Sequence, residues 1–208
     1  MHKFHVIAFV LPGFPTIKDS LDALAFLSDN GITVETALPD ASLTHGLAGI
    51  VHQTALKNGI LSADVLSVFG RVPKSILRTN GKPQRPDVKK AFFLFLGKGG
   101  PKNKTIAMAA PENIPNLRGT PLVFLACAKN RGGTLYPKEK IRAALAAIRE
   151  KTSAPVFAGH GVTTQNMGFF KKAGFDGVFW GSQSVRVQAR GAAAFQAHWH
   201  QKIQRLIK

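Results

Sequence analysis

Two glycine turns near the carboxyl end carry the clearest chemical signal in this sequence. APVFAGHGV at 154–162 and GVFWGSQSV at 177–185 each run a short apolar stretch into glycine, and a helical pattern follows. A strand, a glycine turn and a helix in that order present backbone N–H groups to an anion. A tandem pair of such units implies a bound phosphorylated small molecule. A second signal is Glu35, the lone acid in the apolar stretch ITVETALP at 32–39. Burying a carboxylate is costly unless it is used or paired, so Glu35 is a candidate acid/base. The alternatives are an exposed strand residue or an ion pair with one of the many Lys and Arg.

Other chemistries are not supported. The histidines (His2, His5, His45, His52, His160, His198 and His200) show no metal-ligand spacing, and His198 and His200 point in different directions on a helix. No Walker loop, dinucleotide fingerprint, nucleophile elbow or cysteine pair is present. Cys127, the single cysteine, sits in PLVFLACA and reads as a buried, inert thiol. GKGGPKNK at 97–104 lacks the helix that a phosphate loop opens, and reads as a basic turn.

The charge is strongly positive, with 28 Lys plus Arg against 11 Asp plus Glu, for +17 overall. That balance favours anionic partners, whether phosphorylated metabolites, nucleic acid or an acidic protein. From Arg71 to Lys104 there are ten basic residues and one acid, Asp87, and no acid follows Asp176. The run reads as a solvated surface, with a nucleic-acid footprint as the alternative. No apolar stretch approaches the ~20 residues of a membrane span, and the amino terminus lacks a signal-peptide core. A cytoplasmic protein is expected.

The positioning elements follow from periodicity. At 208 residues and 45% hydrophobic content, one domain can bury a full core. Strands are expected at 5–10, 32–39, 104–111, 121–128, 154–161 and 177–184. Helices are expected from Thr16, which with Asp19 resembles a capping box, to Asn30 before Gly31; over 47–58; near 62–72; after Pro137; and over 191–206. Strands alternating with helices make parallel βαβ units and an α/β fold. The segment 85–100 is ambiguous: AFFLFL suits a buried strand or a short helix. Helix is favoured, because the link to the next strand looks too short for a parallel crossover. The architecture expected is a phosphate-binding TIM (β/α) barrel, abbreviated, with six to seven of eight strands legible.

FVLPGFPTIKDSLDALAFLSDNGITVETALPD at 9–40, ALKNGILSADVL at 55–66 and the GHGV and GSQSV turns together resemble the tryptophan synthase alpha subunit family. That resemblance covers about two thirds of the chain. It implies cofactor-free retro-aldol cleavage of indole-3-glycerol phosphate to indole and glyceraldehyde 3-phosphate, and a beta-type partner subunit. Carried over by position, it makes Glu35 the catalytic glutamate. Gly132 in KNRGGT, Gly161, Gly181 and Ser182 fall at phosphate-binding positions, and Phe9 at an indole-pocket aromatic. His160 replaces another pocket aromatic, which implies a changed substrate.

The family's second catalytic carboxylate has no counterpart. Asp40 matches an earlier aspartate, and the catalytic position falls on Gly46, or on Thr44 or His45 if the loop shifts. His45 is therefore a candidate for proton transfer. The resemblance also implies that two strands are lost between Val72 and Lys104, which would leave open edges and favour self-association. Three functions follow as expectations: a lyase of this type; a catalytically impaired relative that binds a phosphorylated ligand or partner subunit; and a basic nucleic-acid-binding protein.

Overall fold

The computed structural model describes residues 3–43, 45–61, 64–65, 75–78, 94–96, 104–129 and 133–207. Eight parallel strands pair in sequence order and close into a barrel. They are β1 (His5–Phe9), β2 (Val34–Ala37), β3 (Ile76–Arg78), β4 (Leu94–Leu96), β5 (Thr105–Ala109), β6 (Val123–Ala126), β7 (Val156–Gly159) and β8 (Gly177–Trp180). The helices are α1 (Ile17–Asp29), α2 (Gly46–Lys57), α3 (Lys138–Lys151), α4 (Met167–Lys172), α5 (Ser182–Gln188) and α6 (Ala192–His198). A π-helical turn (Trp199–Ile203) then leads into α7 (Gln204–Ile207). Among the described residues, no helix is long and apolar enough to cross a membrane.

Closure corrects two expectations. Leu94–Leu96, the end of AFFLFL, form β4, which pairs with β3 and β5, so the helix reading fails there; 85–93 and 97–100 lie outside the described residues. The dozen-residue crossover rule assumes full-length strands. A three-residue strand climbs only ~10 Å, and the link between Leu96 and Thr105 has no more than that to descend. The barrel therefore keeps all eight strands, and the open edges that argued for self-association do not exist. The rest of the run from Arg71 to Lys104 falls almost entirely outside the described residues, as does most of the helix expected near 62–72.

Alternation along the strands sorts the core into two layers. Ile7, Ile76, Ile106, Phe124, Phe157 and Phe179 fill the barrel interior. Leu24, Leu27, Ile141, Ile148, Phe195 and Trp199 belong to the larger cluster that includes the outward strand residues such as Val34, Val123 and Val178. Two glycines make the inner layer possible. A Cβ at Gly159 would strike the Phe124 ring, and one at Gly177 would strike Phe157 and the carbonyl of His5. The freed space lets Phe124 and Phe179 approach to 4.9 Å between centroids, with Phe157 at 5.9 Å from Phe179.

Helix ends follow the sequence. Thr16 caps α1, accepting from the Asp19 amide at 3.0 Å and donating its hydroxyl to the Asp19 carboxylate at 2.7 Å. Gly31 ends the helix at φ +65°, a conformation that costs a side chain but not glycine. Asp19 also accepts the Ala192 amide at 3.0 Å, tying α1 to α6. That bond, followed by the Thr16 hydroxyl, holds the Asp19 carboxyl below its ordinary range.

The amino-terminal rim of the barrel is clamped by Asp176, which is 5% exposed. Its carboxylate accepts from Arg149 at 2.5 Å and from the Val156 amide at 2.6 Å. Its backbone carbonyl accepts from His5, and its amide donates to Val156. One residue thus joins β1, β7 and β8. Asp176→Ala leaves the Val156 amide short of an acceptor and Arg149 with only the Gly174 carbonyl, at an expected cost of roughly 2–4 kcal/mol. Urea denaturation checks this, and an unchanged midpoint would refute the clamp.

Candidate functional site

Residues of β1, β2, β6 and β8, with the segments that follow β2, β7 and β8, border a cavity of about 440 Å³. Strand register sets its floor. Glu35 on β2 lies opposite Phe9 on β1 and Ile76 on β3, so its side chain enters the interior above the apolar layer. Glu35 is 0% exposed and borders the cavity with Phe9, Phe124 and Phe179. A carboxylate placed this way is shielded from water on a floor of aromatic rings.

One wall comes from the start of α2. His45 stands at the helix N-cap, exposed and at the rim, and contributes no side-chain cap. His52 lies two helical turns further on the same face and is 5% exposed. The Asp40 amide donates to His52 Nδ1 at 3.1 Å, so the neutral ring carries its proton on Nε2. The Asp40 carboxylate serves its own turn, accepting from the amide and hydroxyl of Ser42, and it does not border the cavity.

The opposite wall is built from the two glycine turns. After β7, His160 and Gly161 adopt φ +55° and +71° in succession. Left-handed backbone at a histidine is costly and is tolerated where the surroundings impose it. Here the His160 ring meets Phe124 edge to face at 5.2 Å. Gly161 packs so closely on Leu135 and Ala128 that a Cβ would lie 2.8 Å from the Leu135 side chain. Asn166 braces the turn, donating from Nδ2 to the Gly161 carbonyl and accepting the Thr163 amide. After β8, Gly181 and Ser182 lead into α5, and the Ser184 hydroxyl donates to the Phe9 carbonyl at 2.7 Å across the β1–β8 seam.

Phe9, Glu35, His45, His160, Gly161, Gly181 and Ser182 therefore border one cavity. Gly132 lies outside the described residues; its neighbour Gly133 borders the cavity. Four further lining residues with polar or charged side chains are not singled out by the sequence: His52, Thr163, Gln183 and Arg186. The seven-residue spacing of His45 and His52 signals one helix face, and the four-residue spacing of Ser182 and Arg186 signals another. Among the described residues lining the cavity, Glu35 is the single acid and Arg186 the single Lys or Arg. Among the described residues, no group of three or more His, Cys, Asp or Glu could hold a metal ion.

No protein-family model matches the chain, and no match is found among curated proteins. Solved structures do match. The chain is similar to tryptophan synthase subunit alpha from Campylobacter jejuni, with a TM-score of 0.77 and 16% identity over 97% of this chain and 96% of that one. It is also similar to a chain of the tryptophan synthase complex from Pyrococcus furiosus, with a TM-score of 0.71 and 20% identity over 99% of both chains. A Mycobacterium tuberculosis tryptophan synthase chain gives 0.71 and 17%, over 94% of this chain and 90% of that one. The likeness is one of fold. It agrees with the TIM (β/α) barrel that the closed ring of eight parallel strands makes.

Cys127 follows β6 but turns away from the chemistry. It is fully buried, its Sγ lies 3.3 Å from the Leu125 carbonyl, and burial pushes the thiol from 9.0 up to about 12. Native protein should leave a thiol reagent such as DTNB unreacted at pH 8, while denatured protein reacts with one equivalent. The unfolded chain gives up this proton before the native one does. The thiol's contribution to stability is thus intact below pH 9 and lost as the pH rises from 9 towards 12. Rapid labelling of the native protein would refute this placement.

Proposed function

We propose that this chain is a lyase of the tryptophan synthase alpha type, cleaving indole-3-glycerol phosphate or a related phosphorylated substrate by a retro-aldol step. The observation that carries the reading is a water-shielded carboxylate, Glu35, bordering the same cavity as Gly161, Gly181 and Ser182. In this reading the phosphate meets the amides of the two turns and the Ser182 hydroxyl, and Arg186 adds charge. The aromatic floor of Phe9, Phe124 and Phe179 holds the ring system, and His160 adjusts its fit.

Cleavage breaks the bond between the indole ring carbon and the adjacent carbinol carbon. The hydroxyl proton leaves to a base as the aldehyde forms, and the ring carbon keeps the bonding pair and takes up a proton. Glu35 serves as acid/base, with His45 the candidate for the second transfer. A beta-type partner subunit, a cytoplasmic location and a place in tryptophan biosynthesis complete the proposal.

Steady-state release of indole from indole-3-glycerol phosphate tests it. Glu35→Gln should lower kcat at least ~100-fold while the phosphate end still binds. A second reading is favoured by the single acid among the described lining residues: a relative that binds a phosphorylated ligand without cleaving it. Binding of the substrate without indole release in the wild type would decide for this alternative.

Arg186 provides a separate check on the anion site. Arg186→Gln should weaken a phosphate ester by about tenfold and flatten the dependence of its Kd on salt, because a guanidinium–phosphate contact is lost. Titration calorimetry at two salt concentrations measures both. Equal Kd values for wild type and variant would remove Arg186 from the site.

A further inference from the structure

Gln183 follows Ser182 at the lip of the cavity, and its side-chain oxygen takes two donors from different places. The Thr164 amide, in the turn after β7, donates to Oε1 at 2.8 Å. The indole Nε1 of Trp180, the last residue of β8, donates to the same oxygen at 2.9 Å. Two N–H donors on one atom settle which end of the amide is oxygen. The other end, Nε2, faces Gln165 Oε1 at 3.4 Å.

The anchor for this bridge is rigid. Trp180 is 0% exposed, and its ring packs on Phe195 at 5.6 Å and Trp199 at 6.1 Å. His198 stacks on it at 5.5 Å with only 9° between planes. The ladder between β7 and β8, by contrast, ends at the pair Ala158 and Val178. Past that pair the ladder gives the two turns no register, and Gln183 spans them from a fixed point in the outer core.

We propose that Gln183 is a positioning residue for a bound phosphate ester: it sets the gap between the Gly161 turn and the Gly181–Ser182 turn, so that both meet one dianion. The inference rests on the phosphate reading of the cavity given above. Charge-assisted hydrogen bonds to a phosphate operate over a narrow range of ~2.7–2.9 Å. A displacement of about 1 Å between the turns therefore weakens the contacts of one of them. Gln183 touches the turns and not the reacting carbon, so its loss acts on binding of the phosphate end.

The test uses glycerol 3-phosphate as the probe, with calorimetry for affinity and amide hydrogen exchange at Thr164 for the bridge. Gln183→Met keeps the length and loses the acceptor; Gln183→Asn keeps the amide and loses the reach. In whichever of the two remains folded, Thr164 should exchange faster without ligand, and the Kd should rise about tenfold. Gln183→Glu retains the acceptor oxygen and should keep Thr164 protected. An unchanged Thr164 rate, or a Kd within twofold of wild type in a folded variant, overturns the proposal. Failure of the wild type to bind glycerol 3-phosphate overturns the phosphate reading and this role with it; the Thr164 rates in the variants, read without ligand, tell that failure from absence of the bridge.

Discussion

A closed ring of short strands must be filled from within, and here three phenylalanines meet that demand. Phe124, Phe157 and Phe179 cover the interior because Gly159 and Gly177 carry no side chains to oppose them. This aromatic layer excludes water beneath the mouth and leaves room above it for Phe9 and Glu35. The same layer reaches the site directly, since Phe124 supports the ring of His160. Packing and chemistry thus share a boundary one residue thick.

Ring closure joins the two ends of the chain. Ser184 donates to the Phe9 carbonyl, Gln188 to the Phe14 carbonyl at 2.6 Å, and Ala192 to the Asp19 carboxylate. These bonds place the last glycine turn beside the first strand. The glutamate from β2 and the turns after β7 and β8, remote in sequence, come together only because this seam holds.

Much of this was legible in the sequence for physical reasons. Strands with apolar alternation and glycine ends, such as APVFAGHG, declare themselves, as do the Thr16 cap and the Gly31 stop. The segment at 94–96 was not legible, because a three-residue strand has no periodicity to read and its run of apolar residues suits either state. Glu35 was visible as an isolated acid among apolar neighbours, whereas its complete burial depends on register with β1 and β3. His52 and Gln183 were missed because their significance is a matter of partners far along or across the chain, the Asp40 amide and the Trp180 indole.

The Asp176 clamp lies at the foot of the strands, and the cavity opens at their heads. Residues that set robustness and residues that set reactivity therefore occupy opposite poles of the cylinder, with the phenylalanine layer between them. Substitutions at the two poles share no contacts, so their energetic effects should sum. A lineage, or an engineer, can consequently reinforce the base of this molecule first and then spend the margin on altering what its open end accepts.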